Sequence, residues 1–282
     1  MQLSLVVNKN HERRSNRRLD NQDRLQAELN ANGYAFFRAA EIGLPYRLTP
    51  AQSEFVKLVQ QLPTDRYSKD GNRSRCLHYG VYTPSDKRIS FGPTEIDPET
   101  GEEYVGYDQG GANPEHRDVV RRFAPMPPVM QKNAALQQIV RRDFEVAPFS
   151  DAEKKNRFGF GLTLHVIRHT VRWGEKVPSS PDLIHRDNVL LSFVHVIERR
   201  SVRGGVNCIV KPEHIGKRWT EVPVPDVLAQ VIVSGDFADG YAFRDDVVGH
   251  YVSSIEAASV HEVGARTILI VDFAKLREDL PV

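Results

Sequence analysis

The chain has 282 residues, of which 40% are hydrophobic and 9% aromatic, a composition typical of a folded globular protein and not of a disordered one. Its 38 lysines and arginines nearly balance its 37 aspartates and glutamates, so the overall charge gives no reason to expect strong non-specific attraction to nucleic acid or an anionic membrane. The two cysteines, Cys76 and Cys208, are far apart and in no CxxC motif, which favours a reducing, cytoplasmic location.

The beginning of the chain predicts neither a secretory signal nor a membrane span. The apolar stretch at residues 3–7 is short and precedes the positive charges, whereas a signal peptide has the opposite order. No later stretch approaches the length of a transmembrane helix. The basic residues in segment 9–18 could contact an acidic partner, although such a run is more often a solvated arm.

Three helices are predicted in the first half of the chain. The segment NQDRLQAELNANGYAFF reads as a helix closed by Gly33 and followed by a strand over residues 34–37. The segment TPAQSEFVKLVQQLP predicts a helix with Thr49 as N-cap and Pro50 in its first turn. The third helix is expected in PVMQKNAALQQIVRRDFEV. Residues 64–118, rich in Gly, Pro, Asp and Tyr, predict loops with short strands.

From about residue 158 onward the pattern changes to short β-branched runs separated by turn residues. These runs are RFGFGLTLHVIRHTV, DNVLLSFVHVIER, VNCIVK, LAQVIVSGDFA, DDVVGHYVSSIEA and RTILIVDFA. They predict an antiparallel barrel or sandwich. We therefore expect one domain over residues 1–282, with a helix-rich part at 1–150 packed on a β-barrel at 151–282, because no linker-like stretch divides them.

A His-x-Asp triplet precedes one of these apolar runs, in the segment PSSPDLIHRDN. On a regular strand His185 and Asp187 would point to the same face and could reach one ion. With a second histidine they would form a two-His-one-carboxylate triad, which leaves three positions open on ferrous iron. A cosubstrate can take two of those positions and dioxygen the third. The triplet alone is weak evidence, since His and Asp are also common in turns.

The third ligand would have to be a later histidine, and there are four candidates. His195 lies within the apolar run itself and is expected in the core or wall, while His214 is in a loop-like stretch and His261 in a polar connection. His250 enters a strand, and Arg266 follows sixteen residues later. If these two strands pair antiparallel, the imidazole and the guanidinium lie close together inside the barrel. Arginine is suited to binding a carboxylate through two hydrogen bonds, although His250 could equally be a core residue and Arg266 an edge residue.

Together these motifs resemble the iron(II)/2-oxoglutarate dioxygenases of the L-isoleucine 4-hydroxylase type, which hydroxylate free amino acids. PSSPDLIHRDN is similar to the family's Pro-rich lead into its His-x-Asp, and VIERRSVRGG to its Arg-containing turn ending in Gly-Gly. DDVVGHYVSSIEA resembles the strand with the distal His, GARTILIVDF the Arg-bearing last strand, and YDQGGANPEHRDVVRRFAPM a stretch upstream of the barrel. The resemblance covers roughly residues 30–273, most securely 178–273.

The resemblance implies an α+β fold, a double-stranded β-helix (jelly-roll) barrel with N-terminal helices packed on it. It implies that His185, Asp187 and His250 hold Fe(II) and that Arg266 binds the distal carboxylate of 2-oxoglutarate. The reaction would consume O2, release succinate and CO2, and hydroxylate an unactivated C–H. Because Asp187 is present, a halogenase that replaces this carboxylate with a halide is disfavoured.

Two positions depart from the family pattern and concern the contacts to substrate and cosubstrate more than the metal. Asn188 stands where the family usually has Gly after the triplet, and Gly205 is followed by Val206 instead of an acidic residue. Gly204 and Gly205 are expected to form a tight turn between strands.

The substrate is predicted to be a small molecule, an amino acid or similar metabolite, with no nucleic acid or membrane partner. Arg168 could bind a substrate carboxylate from inside the barrel or pair with an acidic neighbour at its rim, and loops within residues 76–113 are expected to roof the site. The sequence indicates no oligomeric state. Three alternatives stay open: the same chemistry on a carrier-tethered aminoacyl group, a non-catalytic ligand-binding barrel whose basic arm contacts nucleic acid, and a zinc hydrolase, against which Arg266 argues.

Overall fold

The structure is a computed structural model that describes residues 21–45, 47–68, 70–108, 119–155, 158–233 and 235–276. The basic segment 9–18 lies outside the described residues, as does the 109–118 part of the stretch upstream of the barrel. Among the helices described, none is long and apolar enough to cross a membrane.

The α-helices of the described residues lie in the first 155 positions. They are α1 Asn21–Asn32, α2 Pro50–Val59, α3 Pro128–Gln131, α4 Ala134–Val146 and α5 Asp151–Lys154. As predicted, Gly33 follows α1 with a positive φ of 79°, and the Thr49 hydroxyl caps α2 by accepting a hydrogen bond from the Gln52 N–H at 3.2 Å. The prediction of one continuous third helix is wrong. Asn133 caps α4 by accepting from the N–H groups of its first turn, and this cap separates α4 from α3.

Sixteen strands are found in the part of the chain that the structure describes. They are β1 Tyr34–Phe37, β2 Arg73–Thr83, β3 Arg88–Phe91, β4 Glu95–Ile96, β5 Glu103–Tyr107, β6 Arg121–Phe123, β7 Phe160–Val171, β8 Lys176–Val177, β9 Leu191–Arg200, β10 Val202–Gly204, β11 Asn207–Val210, β12 Val227–Val231, β13 Asp239–Phe243, β14 Gly249–Val252, β15 Ile255–Ala257 and β16 Gly264–Lys275.

The main sheet of the described residues has the strand order β1-β13-β9-β16-β7-β2-β3, and its neighbouring strands are antiparallel. Two smaller antiparallel sheets, β12-β11-β14 and β10-β15-β8, belong to the C-terminal part. The antiparallel β-structure predicted for residues 151–282 is therefore present. Strands from both halves of the chain build the main sheet, since β1, β2 and β3 precede residue 150.

Strand β2 is longer than the short strands that were predicted among loops over residues 64–118. Its eleven residues pair along β7 from Arg73↔His169 to Tyr82↔Phe160, and its end forms a hairpin with β3. Residues 76–83 are thus part of the main sheet and not of a roof over the site. The sequence hid this strand because polar side chains such as Arg75 occupy positions that face the interior, so no hydrophobic alternation is visible.

The two faces of the main sheet have different roles, as strand alternation requires. On β7, Leu162, Leu164 and Val166 pack with the helices in the largest hydrophobic cluster, which also includes Leu25 of α1 and Phe144 of α4. The opposite face carries His165, Ile167 and His169 toward a cavity. The helices thus support the sheet from outside and leave its inner face free to carry a site.

Candidate metal centre and the cavity around it

The structure brings His185, Asp187 and His250 together. Each offers one ligand atom, and these atoms all lie within 4.8 Å of one another. The two imidazole centroids are 4.2 Å apart, and Nε2 of His250 is 3.3 Å from Oδ2 of Asp187. This separation between nitrogen and carboxylate suits a shared cation. The three residues predicted from the motif therefore form one cluster.

The local backbone differs from the regular strand that the His-x-Asp spacing suggested. His185 lies before β9 and makes an isolated antiparallel bridge with His250, N–H to carbonyl in both directions at 3.1 and 3.2 Å. Asn188, with a φ of 59°, turns the chain after Asp187. The two histidines thus approach through backbone pairing across 65 positions, and the carboxylate comes from the loop that follows.

Asp245 holds that loop in place and was not predicted as a site residue. Its Oδ2 accepts hydrogen bonds from the backbone N–H groups of Asp187 at 2.9 Å, Asn188 at 2.7 Å and Val189 at 3.4 Å. Its Oδ1 is 3.8 Å from Nδ1 of His250. Burial raises the pKa of Asp245. The acidic residue five positions before the distal histidine was the available sequence signal.

The protonation states of the cluster suit metal ligation. Nδ1 of His185 lies 3.0 Å from the carbonyl oxygen of Leu183, which can only accept, so Nδ1 carries the proton and Nε2 offers a lone pair. Burial, with His250 adding to it, lowers the pKa of His185 to about 4. Burial alone would raise the pKa of Asp187, but the adjacent histidines lower it well below its usual range. Burial opposes the charge on His250, yet Asp187 and Asp245 raise its pKa.

Arg266 is almost completely buried, with 1% of its surface exposed. Its Nη2 donates to Oδ1 of Asn207 at 3.4 Å, and its Nη1 has no hydrogen-bond partner among the described residues. Burial lowers its pKa to about 10, so it stays charged at neutral pH. The Gly204–Gly205 turn passes close by, because a Cβ on Gly205 would lie 3.2 Å from Cδ of Arg266.

The expected pairing between the strands of His250 and Arg266 is wrong. Strand β14 pairs with β11, whereas β16 lies between β7 and β9 in the main sheet. His250 and Arg266 therefore belong to different sheets. The two sheets are connected at Asn207 of β11, which contacts Arg266 and is in register with Val252 of β14, two positions after His250.

The other three candidate histidines lie outside the cluster of His185, Asp187 and His250. His195 is fully buried, with Nε2 2.9 Å from Oδ2 of Asp143 and Nδ1 3.0 Å from a backbone carbonyl, which confirms its expected place in the core. His214 lies 2.9 Å from Asp226, whose carboxylate is also paired with Lys211. His261 is exposed in the connection before β16.

Arg168 is placed on the outer face of the main sheet and not inside the barrel. It alternates with the cavity-facing Ile167 and His169 along β7, and its Nη2 is 3.4 Å from Oε2 of Glu198. Of the two interpretations open at the sequence level, the structure shows the pairing with an acidic neighbour. The substrate-binding role expected for Arg168 is therefore corrected by the alternation of the strand.

A cavity of about 750 Å³ opens beside the histidine–carboxylate cluster, a size suited to small-molecule ligands. Its wall includes polar residues that sequence reasoning did not single out, namely Arg75, Tyr107, Arg121, His165 and Asp272. Apolar side chains complete it, among them Ile167, Val194, Phe243, Ile268 and Ile270. The sequence signal for the polar group was faint, because His165 and Asp272 lie inside predicted β-runs whereas Arg75 lies in the stretch predicted as loops with short strands.

Comparison with known proteins agrees with this architecture. The family model described as 2OG-Fe dioxygenase matches residues 57–272, and no curated protein matches the chain. Similar solved structures include IDO from Bacillus thuringiensis, with 16% identity and a TM-score of 0.65 over 91% of this chain and 96% of that one. A BsmA homologue from Methylobium petroleophilum has 17% identity and a TM-score of 0.67 over 93% and 96%.

A third similar structure is TqaL, an Fe(II)/α-ketoglutarate-dependent dioxygenase, with 14% identity and a TM-score of 0.66 over 92% of this chain and 88% of that one. Likenesses at this level of identity describe the fold. Together with the sheet order they confirm the predicted α+β class, a double-stranded β-helix with helices packed on it.

Proposed function

The chain belongs to the 2OG-Fe dioxygenase family, and from this premise we propose that it hydroxylates an unactivated C–H bond of a free amino acid or similar small metabolite. As a 2-oxoglutarate-dependent dioxygenase it requires Fe(II), 2-oxoglutarate and O2. This membership argues against the alternatives of a non-catalytic barrel and a zinc hydrolase. The assignment to the L-isoleucine 4-hydroxylase type, with release of succinate and CO2, is supported by the motifs around residues 178–273.

The observation that carries the proposal is the convergence of His185, Asp187 and His250 within 4.8 Å beside the cavity. Two imidazoles and one carboxylate are the donor set of a facial triad for ferrous iron. The group fits because Nε2 of His185 is free of its proton and Asp187 is ionised. To hold the ion, His250 would release to solvent the proton that it shares with Asp187, and its Nε2 would then offer a lone pair.

Arg266 is proposed to bind the distal carboxylate of 2-oxoglutarate. Its guanidinium is buried and charged, and its Nη1 has no hydrogen-bond partner in the described part of the chain. A buried cation of this kind is costly unless an anion pairs with it. A dicarboxylate supplies that anion and can reach the metal with its other end, which fits the position of Arg266 in the interior of the barrel.

When bound, Fe(II) supplies oxidising chemistry by activating O2 together with 2-oxoglutarate, which is decarboxylated to succinate. The protein's part is to position the reactants and to exclude water. Asp245 fixes the loop of Asp187 through three backbone N–H groups. The apolar wall that includes Ile268 and Ile270 keeps the reacting C–H in a dry environment.

The test is succinate release with Fe(II), 2-oxoglutarate and O2 across the twenty standard L-amino acids, with ¹⁸O2 to label the product. We expect at least one amino acid to stimulate succinate release and to gain a single labelled oxygen atom. Asp187→Ala is the matched control and is expected to do neither. Substrate-stimulated turnover only with aminoacyl thioesters would instead favour the carrier-tethered alternative.

A further inference from the structure

An arginine and an aspartate that are buried in the cavity wall have no part in the iron chemistry proposed above. Arg75 of β2 is 8% exposed and Asp272 of β16 is 5% exposed, and both line the cavity. Strand β7 lies between their strands in the main sheet, and the imidazole of His165 on β7 lies between the two side chains. A guanidinium and a carboxyl group thus lie near each other in one cavity without forming an ion pair.

Arg75 has no carboxylate partner in the described part of the chain. Its Nη2 donates to Nδ1 of His165 at 2.6 Å, and its Nε has no hydrogen-bond partner there. Its guanidinium carbon lies 4.0 Å from the ring centroid of Phe123 and 5.6 Å from that of Tyr107. Burial lowers its pKa to about 10, so it remains a cation at neutral pH.

The neighbouring arginines show what distinguishes Arg75. Arg73, two positions earlier on the same face of β2, is neutralised by Asp65, with Nε 2.6 Å from Oδ2. Arg121 lies over the same two rings as Arg75, at 5.2 Å from each centroid, and adds positive charge to this end of the cavity. Arg75 and Arg121 thus bring two guanidinium groups to the same part of the cavity wall.

Asp272 offers a buried carboxyl group on the other side of His165. Its Oδ1 accepts a hydrogen bond from the Ser192 hydroxyl at 2.7 Å, and its Oδ2 is 3.7 Å from Nε2 of His165. No lysine or arginine of the described residues lies within 4.0 Å of its oxygens. Burial, with the nearby Asp187 adding to it, raises its pKa to about 8. Without a cation beside it the carboxyl group is therefore largely protonated at neutral pH, and a cationic ligand would favour its ionised form.

His165 is uncharged and therefore forms an ion pair with neither Arg75 nor Asp272. A guanidinium only donates hydrogen bonds, so Nδ1 of His165 is the acceptor and its proton is on Nε2, facing Asp272. Burial and the Arg75 charge keep the pKa of His165 well below its usual value. The neutral imidazole therefore lies between the Arg75 guanidinium and the Asp272 carboxyl group.

We propose that Arg75 binds the α-carboxylate and Asp272 the α-ammonium of an amino-acid substrate. The inference rests on the proposed function, since it names the groups that recognise the substrate in the same cavity. In an α-amino acid the two charged groups are attached to one carbon. With one hydrogen bond to each protein group, the carboxylate and the ammonium span a distance comparable to that between Arg75 and Asp272. The imidazole of His165 lies across that distance, 2.6 Å from Nη2 of Arg75 and 3.7 Å from Oδ2 of Asp272.

This arrangement selects for a free amino acid. An aminoacyl group tethered to a carrier has no free carboxylate and would leave Arg75 buried without an anion. The same reasoning disfavours a substrate that lacks the amino group, because Asp272 would stay buried without a cation. Recognition of both ends leaves the side chain of the substrate to face the apolar part of the wall.

The experiment measures binding, not turnover. Protein loaded anaerobically with Fe(II) and 2-oxoglutarate is titrated with each of the twenty standard L-amino acids, and the shift of the visible charge-transfer band reports the dissociation constant. The tightest-binding amino acid is then compared with its amide, which lacks the carboxylate, and with its deaminated acid. We expect the wild-type protein to bind the amino acid about 100-fold more tightly than either analogue.

Two variants test separately the binding of the substrate carboxylate and of the substrate ammonium group. Arg75→Met is expected to lose about 100-fold in affinity for the amino acid while its affinity for the amide stays unchanged. Asp272→Asn is expected to lose affinity for the amino acid and for the amide but not for the deaminated acid. Arg168→Met, which removes an arginine from the outer face of β7, is the matched control and should bind like the wild type.

The outcomes are distinguishable from failure of the proposed function. If the wild-type protein forms no band with Fe(II) and 2-oxoglutarate, both the proposed function and this inference fail. If the band forms but no amino acid shifts it, or the amide binds as tightly as the amino acid, only the inference is overturned. The comparison of analogues on the wild-type protein needs no variant. If Arg75→Met does not fold, Arg75→Lys, which keeps the charge, is measured in its place.

Discussion

His185 and His250 face each other across an isolated antiparallel bridge. Each donates its backbone N–H to the other's carbonyl oxygen, at 3.1 and 3.2 Å, and their imidazole centroids are 4.2 Å apart. The bridge joins two residues that are far apart in the sequence, and it fixes their side chains on the same side of the backbone. Pairing of main chains, rather than contact between the side chains, therefore determines where an ion would be held.

The first prediction concerns the ligands themselves. Because backbone bonds and not the imidazole or carboxylate maintain the bridge, His185→Ala and Asp187→Ala should abolish substrate-dependent succinate release while the melting temperature stays within a few degrees of wild type. Circular dichroism melts and succinate assays on the same preparations check this. Retained turnover in both variants would contradict the assignment.

The second prediction concerns Asp245, which acts through the loop that it binds. Asp245→Ala leaves three backbone N–H groups of the Asp187 loop without their acceptor, so we expect Fe(II) affinity to fall about 10- to 100-fold. Asp245→Asn keeps an acceptor oxygen and should lose less. Anaerobic Fe(II) titration measures both variants, and an Asn variant weaker than the Ala variant would argue against this role.

The motif-bearing part of the site could be predicted from the sequence, whereas the cavity wall could not. His185, Asp187, His250 and Arg266 lie in short segments whose residue types and order indicate metal and carboxylate binding without knowledge of the fold. Arg75 becomes relevant only because β2 pairs with β7, a contact across about ninety positions that no local pattern encodes.

The limits of local sequence patterns also explain where the predictions for Arg168 and for the third helix differ from the structure. The sequence left a place for Arg168 inside the barrel open because the register of β7 decides which of two adjacent residues faces inward, and a shift of one position reverses every side chain. The third helix was predicted as one segment because Asn133 is compatible with a helix interior until its side chain caps the next turn.

The third prediction tests Arg266. Removing its charge in Arg266→Met should raise the KM for 2-oxoglutarate at least about 30-fold, since a buried carboxylate would lose its cation. The KM for the amino acid at saturating 2-oxoglutarate should change little. The opposite pattern, with the amino acid affected and 2-oxoglutarate unaffected, would place the substrate and not the cosubstrate at Arg266.

The fourth prediction concerns stability. His195 and Asp143 are both fully buried and 2.9 Å apart, so removing either partner leaves an uncompensated polar group and should cost about 3–5 kcal/mol of unfolding free energy. Burial opposes the charge on His195, but Asp143 raises its pKa above 6.5. The stabilisation that this shift contributes is complete below pH 6.5 and declines as the pH rises through the raised folded-state pKa.

Urea unfolding of the wild type and of Asp143→Asn at several pH values measures this effect. The difference in unfolding free energy between them should be largest below pH 6.5 and smaller at higher pH. A difference that grows with pH would mean that His195 is neutral in the folded protein throughout.

The account depends most directly on one ferrous ion held by His185, Asp187 and His250 with 2-oxoglutarate beside it. Anaerobic addition of Fe(II) to the purified chain, followed by 2-oxoglutarate, tests this through metal stoichiometry and the visible charge-transfer band. We predict one Fe(II) per chain and a band that appears with 2-oxoglutarate in the wild type and is absent in His250→Ala. A wild-type protein that binds no Fe(II), or a His250→Ala variant that keeps the band, would contradict the account.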